Sequence, residues 1–317
     1  LLRRFCAYEI LQKPHVIDIL SDQTKMVCDE ADAKVPLDVA ALVPFAISSG
    51  CDVEKLLALV VQGGVPPHVT EQILLLVKCK TFSTDGRAMM ELGAAQVILT
   101  GLKRHRDHAA VQEAGCSALR NLAVNAENQA KLMELEAAQA LLEAMKRHRD
   151  HVGVQEQACH ALRNLADSAE NKVKLMELEA AQAILEAMKR HRDHAAVQEQ
   201  GCAALRNLGN NNAENQVKLM ELEAAQAILE AVKRHGDHAA VQEQGCGALW
   251  NLAVNAENKV KLMELEAAQA ILEAMRGHRD HAAVQQFGCG ALRSLAVNDE
   301  NKVKLMELEA AQAILEA

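Results

Sequence analysis

The sequence predicts an all-α solenoid of three-helix units, and three observations lead there. Cys116, Cys159, Cys202, Cys246 and Cys289 follow one another at intervals of 43, 43, 44 and 43 residues, with near-identical text around each. A fixed period of this length marks a repeat architecture, in which each unit buries its apolar face against its neighbours. Half of the 317 residues are apolar but only 2% are aromatic, which deprives a sheet of the residues it favours and suits helices rich in Ala, Leu and Glu. Within each period, apolar residues recur at helical spacing between capping and turn residues.

One unit, from Asn255, reads NAENKVKLMELEAAQAILEAMRGHRDHAAVQQFGCGALRSLA. Asn255 is placed to cap a short first helix ending near Leu265 and Glu266, because its side-chain oxygen can accept from the unpaired N–H groups of a first turn. A second apolar-periodic stretch, Ala268 to Met275, follows a sharp corner. Asp280 is expected to cap a third helix beginning at His281. In that helix Val284, Gly288, Leu292 and Leu295 form one stripe facing the core, with Cys289 at its flank. The single 44-residue interval puts its extra residue in the loop around Asn210 to Asn212.

Five such units run from about 84 to 296, and a sixth, 297–317, stops inside its second helix. That end reads as a cut edge, where Leu305, Leu308, Ile314 and Leu315 lack a covering third helix and invite self-association. Residues 1–83 depart from the pattern and read as a degenerate N-terminal cap region: Val69 to Lys80 aligns with a third helix and Asp52 to Val61 with a second. Pro66 and Pro67 break the chain just before that third helix.

The net charge of -9 disfavours general binding to nucleic acid or to an anionic membrane. No stretch approaches the roughly 18 uninterrupted apolar residues of a membrane helix, so no membrane insertion is expected. No basic start followed by an apolar run reads as a signal peptide, although without an initiator Met a leader could already have been removed. Equivalent cysteines on stacked helices would stand about 8 to 10 Å apart, beyond the roughly 7 Å between Cα atoms that a disulfide allows. They read as reduced thiols of an intracellular protein, cytoplasmic or nuclear.

Catalysis is not expected. No glycine-rich phosphate loop, nucleophile elbow or metalloprotease helix is present, and identical copies every 43 residues argue against one specialised site. No cofactor is implied. The motif KRHRDH from Lys103 to His108 recurs from Lys146, Lys189 and Lys233, and as RGHRDH from Arg276. Paired His with Asp can ligate zinc, but these copies sit on separate repeats with no shared fourth ligand, so no metal is expected. The plainer role is a turn in which Asp caps the third helix while basic side chains favour the C-terminus of the second. These turns form a basic ridge, for which a grip on nucleic acid is a minor reading, and the MELE copies, Glu134 and Glu136 first, form an acidic one.

The run from Asn255 to Ala296 resembles the armadillo repeat, with an N-capped first helix, an apolar second helix and a third ending AL-x-N-L-A. The resemblance covers about two-thirds of the chain, and the text VQEQGC-x-ALRNLA after H-x-D-H is similar to armadillo arrays in large multidomain protist proteins and in leucine-rich-repeat kinases. It implies a right-handed superhelical solenoid whose third helices stack along a concave face, and a non-catalytic role in binding a protein or peptide.

The resemblance also assigns candidate site residues. Asn121, Asn164, Asn207 and Asn251 match the position at which relatives of β-catenin and importin-α hold the backbone of an extended peptide, an amide being both donor and acceptor; Ser294 interrupts the row. The other reading is that Asn ends the helix or bonds a neighbouring loop. Before each Asn stands Arg120, Arg163 or Arg206, with Trp250 as the exception and Arg293 before Ser294. Guanidinium groups dock carboxylates or phosphates, unless they only pair with Glu113, Glu156 and Glu199 of their own helices. Importin-like proteins carry Trp four residues before the Asn, where this chain has Ser117, His160, Ala203, Gly247 and Gly290. That difference turns the expected ligand from basic nuclear-localisation peptides toward acidic or phosphorylated segments. Trp250 either anchors a partner, with Phe287 as companion, or packs on a neighbouring helix. An architectural or autoinhibitory spacer in a longer chain, and a nuclear-transport adaptor, are the alternative functions.

Overall fold

A computed structural model describes residues 57–58, 60–61, 65–83 and 86–315. The second helix expected over 52–61 lies largely outside them. Among the described residues there are eighteen helices and no strand. They fall into two compact units, up to Asn128 and from Gln129.

The first unit holds α1 (Pro67–Ser83), α2 (Gly86–Glu91), α3 (Ala94–Arg104) and α4 (Ala109–Leu122). Pro67 opens α1 at the one helical position where a missing N–H costs nothing, and Pro66 O accepts from Val69 N and Thr70 N. Val69, Ile73, Leu74 and Val77 are buried and α1 packs along α4, so α1 occupies the place of a third helix. The next helix, α5 (Ala126–Glu134), crosses the division.

The second unit continues with α6 (Ala137–Arg147) and α7 (Val152–Leu165), then two full triplets: α8 (Ala169–Glu177), α9 (Ala180–Arg190), α10 (Ala195–Gly209), and α11 (Ala213–Glu221), α12 (Ala224–Arg234), α13 (Ala239–Leu252). A further triplet is α14 (Ala256–Glu264), α15 (Ala267–Gly277) and α16 (Ala282–Leu295), followed by α17 (Asp299–Glu307) and α18 (Ala310–Leu315). Third helices pack in series, α7 on α10, α10 on α13 and α13 on α16, and second helices do so from α6 to α18.

The first helices from α5 onward are nine residues long and would be marginal alone. Asn255 Oδ1 accepts from Glu257 N and Asn258 N at 3.0 and 3.3 Å, and Asn212 and Asn298 cap their helices in the same way. Burying Leu175, Leu219 and Leu262 contributes more, about 1.5 to 3 kcal/mol for each side chain. The corner into the second helix is made by Glu136, Glu179, Glu223, Glu266 and Glu309 at φ between 59° and 62°. This left-handed conformation is strained for any residue with a Cβ; in the first unit Gly93, at φ 76°, takes it without that penalty.

The third helix does not start as the sequence suggested. The residue with cap geometry is His281, at φ -97° and ψ 94°, and α16 begins at Ala282. His281 Nδ1 accepts from Val284 N at 3.4 Å, as His151 does from Val154 N. The preceding Asp is left in the turn, where it serves the following repeat instead. Asp193 accepts from Arg234 at 2.8 Å, and Asp150 pairs with Arg190.

Two further rows of amides tie successive helices together, the Gln row within a repeat and the Asn row from one repeat to the next. Gln155, Gln198, Gln242 and Gln285 bond the last carbonyls of the second helix; Gln198 Nε2, for example, donates to Met188 O and His191 O, both at 2.9 Å. Buried Asn171, Asn215, Asn258 and Asn301 donate to Leu165 O, Leu208 O, Leu252 O and Leu295 O. Carbonyls at a helix end have no partner in their own helix, and a buried one left unpaired would cost about 1 to 3 kcal/mol. At the C-terminal edge Leu305 is 5% exposed and Leu308 half-buried, while Ile314 and Leu315 are 42% and 88% exposed.

Candidate functional site: the face of the third helices

The residues singled out from the sequence lie near the C-terminal ends of the third helices. Arg120, Asn121, Arg163, Asn164, Arg206, Asn207, Trp250 and Asn251 are half-buried, and Arg293 is exposed.

The asparagine amides are partly engaged within the protein. Asn207 Nδ2 donates to Arg163 O at 3.0 Å and to Asp167 Oδ1 at 2.7 Å, and Asn251 Nδ2 donates to Arg206 O at 2.9 Å. In the first unit Asn121 Nδ2 donates to Lys78 O at 3.0 Å, and its Oδ1 accepts from Arg120 Nε and Nη2 at 3.1 and 3.0 Å. Each amide therefore ties its third helix to the one before it. For Asn207 and Asn251 the accepting carbonyls belong to a helix's last turn, where orphaned acceptors are expected.

Two of the arginines, Arg163 and Arg206, engage the following helix. Arg163 Nη1 donates to Gln200 Oε1 at 3.4 Å, and Arg206 Nη1 to Gln244 Oε1 at 3.1 Å. Gln200 and Gln244 in turn donate to Glu199 and Glu243 at 2.8 and 2.9 Å. Burial raises the Glu199 carboxyl above its ordinary range; Arg163 opposes that, and neighbouring Glu156 and Glu243 add to it. Burial likewise lowers Arg206, against the pull of Glu243. A rung on this face is thus an Arg, Gln and Glu shared between two repeats.

The junction of α13 with α16 replaces that rung. Trp250 stands for the Arg, Gln286 for the Glu and Phe287 for the Gln. The Trp250 and Phe287 ring centroids are 6.1 Å apart at 43°, and the Arg206 guanidinium lies 4.3 Å from the Phe287 centroid. Gly290 forms the floor: a Cβ there would come within 2.8 Å of the indole, just as one on Gly247 would come within 3.0 Å of Arg206 Cδ. The small residues at the importin-type Trp position therefore have a physical cause, since the side chain of the preceding repeat lies across them.

The turns opposite are structural joints. His191 Nε2 and His235 Nε2 meet Arg149 O and Arg192 O at 2.7 Å, and His278 Nε2 meets Gly236 O at 2.8 Å. Between consecutive second helices lie equivalent clefts of about 300 and 460 Å³, one lined by Lys146, Arg149, Glu179 and Arg190, the next by Lys189, Arg192, Glu223 and Arg234. Cys116, Cys159, Cys202 and Cys246 are buried and unbridged, and burial pushes the thiols of Cys159, Cys202 and Cys246 up to about 12, where they are inert at neutral pH. Among the described residues, no three His, Cys, Asp or Glu side chains are placed to hold a metal ion, and no helix is long and apolar enough to cross a membrane.

Sequence reasoning found the Arg and Asn rows but missed the Gln rows and the left-handed glutamates. Their regular recurrence was visible; their bonding partners, ten or seven residues earlier on another helix, were not.

No curated protein matches the chain. Among solved structures, an engineered protein is 24% identical with a TM-score of 0.68, covering 78% of this chain and 99% of its own. A designed armadillo repeat protein in complex with the peptide (KR)4 is 22% identical with a TM-score of 0.65, covering 77% and 99%. A chain from a study of the phosphorylation switch between cadherin and β-catenin is 16% identical with a TM-score of 0.52, covering 95% and 68%. These likenesses concern the fold, an all-α repeat solenoid. A HEAT-like repeat model matches residues 109–165, and the LRRK2 ARM repeat model matches residues 139–317. With more than half of its length matched by that model, the chain belongs to the LRRK2 ARM repeat family.

Proposed function

We propose that the chain is a non-catalytic scaffold that binds an extended peptide segment along the third-helix face, with acidic or phosphorylated side chains read by Arg120, Arg163, Arg206 and Arg293. The observation that carries this reading is the guanidinium of Arg206, fixed before any ligand is present. Arg206 spends one N–H on Gln244 and rests against Phe287, so its remaining donors are held in place before a ligand arrives. Pre-ordering of this kind lowers the entropy cost of a bidentate contact to a carboxylate or phosphate. Asn207 and Asn251, in the row begun by Asn121 and Asn164, supply carbonyl oxygens toward the peptide's N–H groups, and Trp250 supplies apolar contact. The test is calorimetry with Glu-rich, phosphorylated and Lys-rich peptides, on wild type and on the Arg120→Ala, Arg163→Ala, Arg206→Ala triple variant. Tight binding of the first two and its loss in the variant supports the reading; preference for Lys-rich peptides defeats it.

A second reading is an architectural or autoinhibitory spacer within a longer chain. It is favoured by the amide donors of Asn207 and Asn251, which join repeats. Nuclear transport is disfavoured because Gly247 and Gly290 leave no room for the importin-type Trp. Nucleic-acid binding by the basic turns is disfavoured because Arg190 and Arg234 are already paired with Asp150 and Asp193. We assign residues 84–296 to five repeats, 1–83 to a degenerate N-terminal region and 297–317 to a sixth repeat whose exposed Ile314 and Leu315 offer a surface for self-association. The buried reduced thiols favour an intracellular setting.

A further inference from the structure

Along α7, α10 and α13 the face is balanced in charge, because each Arg is matched by a Glu on the following helix: Arg163 by Glu199 and Arg206 by Glu243. At α13 and α16 three residues change together. Trp250, Gln286 and Phe287 remove one positive charge and one negative charge and put two aromatic rings in their place, with Arg206 stacked against the nearer ring. Gln286 is exposed, Trp250 and Phe287 are half-buried, and the indole of Trp250 lies against Gly290.

The geometry points to this junction as the anchor of the face: the half-buried Trp250 and Phe287 rings take one aromatic or aliphatic side chain of an acidic peptide, and a carboxylate two or three residues away docks on Arg206. This inference rests on the peptide-binding reading above and adds where its affinity is concentrated. Aromatic and Arg side chains in a partly desolvated cluster are the residues on which binding energy collects. Arg206 is held at this place by its bond to Gln244 and by the Phe287 ring, and the Trp250 rung beside it carries the neutral Gln286 in place of a carboxylate. Neighbouring third helices lie about 8 to 10 Å apart and an extended chain advances about 3.3 Å per residue. The carboxylate that reaches Arg206 is therefore two or three residues from the side chain that reaches Trp250.

The chain tests this with its own residues. The triple variant Trp250→Arg, Gln286→Glu, Phe287→Gln rebuilds the rung already present at Arg206, Glu243 and Gln244, so its fold is one the protein uses elsewhere. The probes are a twelve-residue Glu-rich peptide with one central Phe, the same peptide with Ser in place of Phe, and a Lys-rich version with Phe. Trp250 is the single Trp of the chain, so its fluorescence reports occupancy of the junction directly. The Phe-bearing acidic peptide is expected to shift Trp250 emission, to bind the wild type about tenfold more tightly than the Ser version, and to lose that advantage in the triple variant. Equal binding of the Phe and Ser peptides, or an unaffected triple variant, together with weakening by Arg163→Ala, would overturn the anchor while leaving the peptide-binding reading intact. Failure of every acidic peptide to bind would remove both, and tighter binding of the Lys-rich peptide would overturn the assignment of Arg206.

Discussion

The side-chain amide of Asn251 donates to the main-chain carbonyl of Arg206 at 2.9 Å, and Asn207 makes the same bond to Arg163 at 3.0 Å. The row therefore joins repeats. Replacing Asn251 with Leu removes the donor and leaves the Arg206 carbonyl at a helix end without it, at a cost of about 1 to 2 kcal/mol. Asn251→Asp, which removes the donor hydrogens at nearly constant shape, is expected to destabilise by a similar amount. Urea unfolding followed by circular dichroism checks both, and an unchanged midpoint in either variant shows that the bond contributes nothing.

Packing between second and third helices makes a differential prediction. A Cβ on Gly201 would meet the Met188 side chain at 2.5 Å, and one on Gly245 would meet Val232 Cγ2 at 2.3 Å. Met has three rotatable bonds and can yield, as it does in the repeat where Ala158 stands at this position opposite Met145; branched Val cannot. Gly201→Ala is expected to be neutral or to stabilise by up to about 1 kcal/mol through helix propensity, while Gly245→Ala destabilises by about 1 to 3 kcal/mol. Thermal or urea midpoints of the two variants decide it.

The left-handed corner gives a prediction of opposite sign. Glu223 holds φ 61°, and relieving that strain outweighs the entropy that Gly adds to the unfolded chain. Glu223→Gly is expected to raise stability by about 0.5 to 1 kcal/mol, read as a higher urea midpoint. A lower midpoint would mean that the carboxylate contributes more than the corner costs.

The acid sensitivity of the first unit is set by His105. Burial lowers its pKa below 6.5, helped by nearby His108 and Arg104 and opposed by a backbone bond at Val65. A lowered imidazole binds its proton more readily in the unfolded chain, so the stability it allows is fully present above about pH 6.5 and declines as pH falls from there through the folded value. His105→Gln, which can keep a bond to Thr70, is expected to flatten the stability profile below about pH 6.5. An identical profile in the variant assigns the sensitivity elsewhere.

Much of this was legible in the sequence because the repeat prints its own boundaries. Asn255 and Asn298 announce first helices, and the spacing of Val284, Leu292 and Leu295 announces the buried side of a third. The start of the third helix was misread because Asp is the commoner cap. In this chain the following His takes the cap geometry, which leaves Asp150 and Asp193 to pair with arginines about 40 residues on. That role depends on how repeats stack, as does the function of Gly247 and Gly290 as floors for Arg206 and Trp250. A single repeat read alone contains neither relationship. The concurrent change at Trp250, Gln286 and Phe287 was visible only in part, since the residue facing Trp250 is fixed by the packing of α13 on α16.

Photo-crosslinking from a Glu-rich peptide carrying one diazirine side chain, mapped by mass spectrometry, tests the assignment of the binding face most directly. Labelling confined to the third helices, in particular to residues near Arg163, Arg206 and Trp250, is the predicted result. Labelling of the second-helix clefts around Lys146, Arg149 and Lys189, with the third helices untouched, would contradict it.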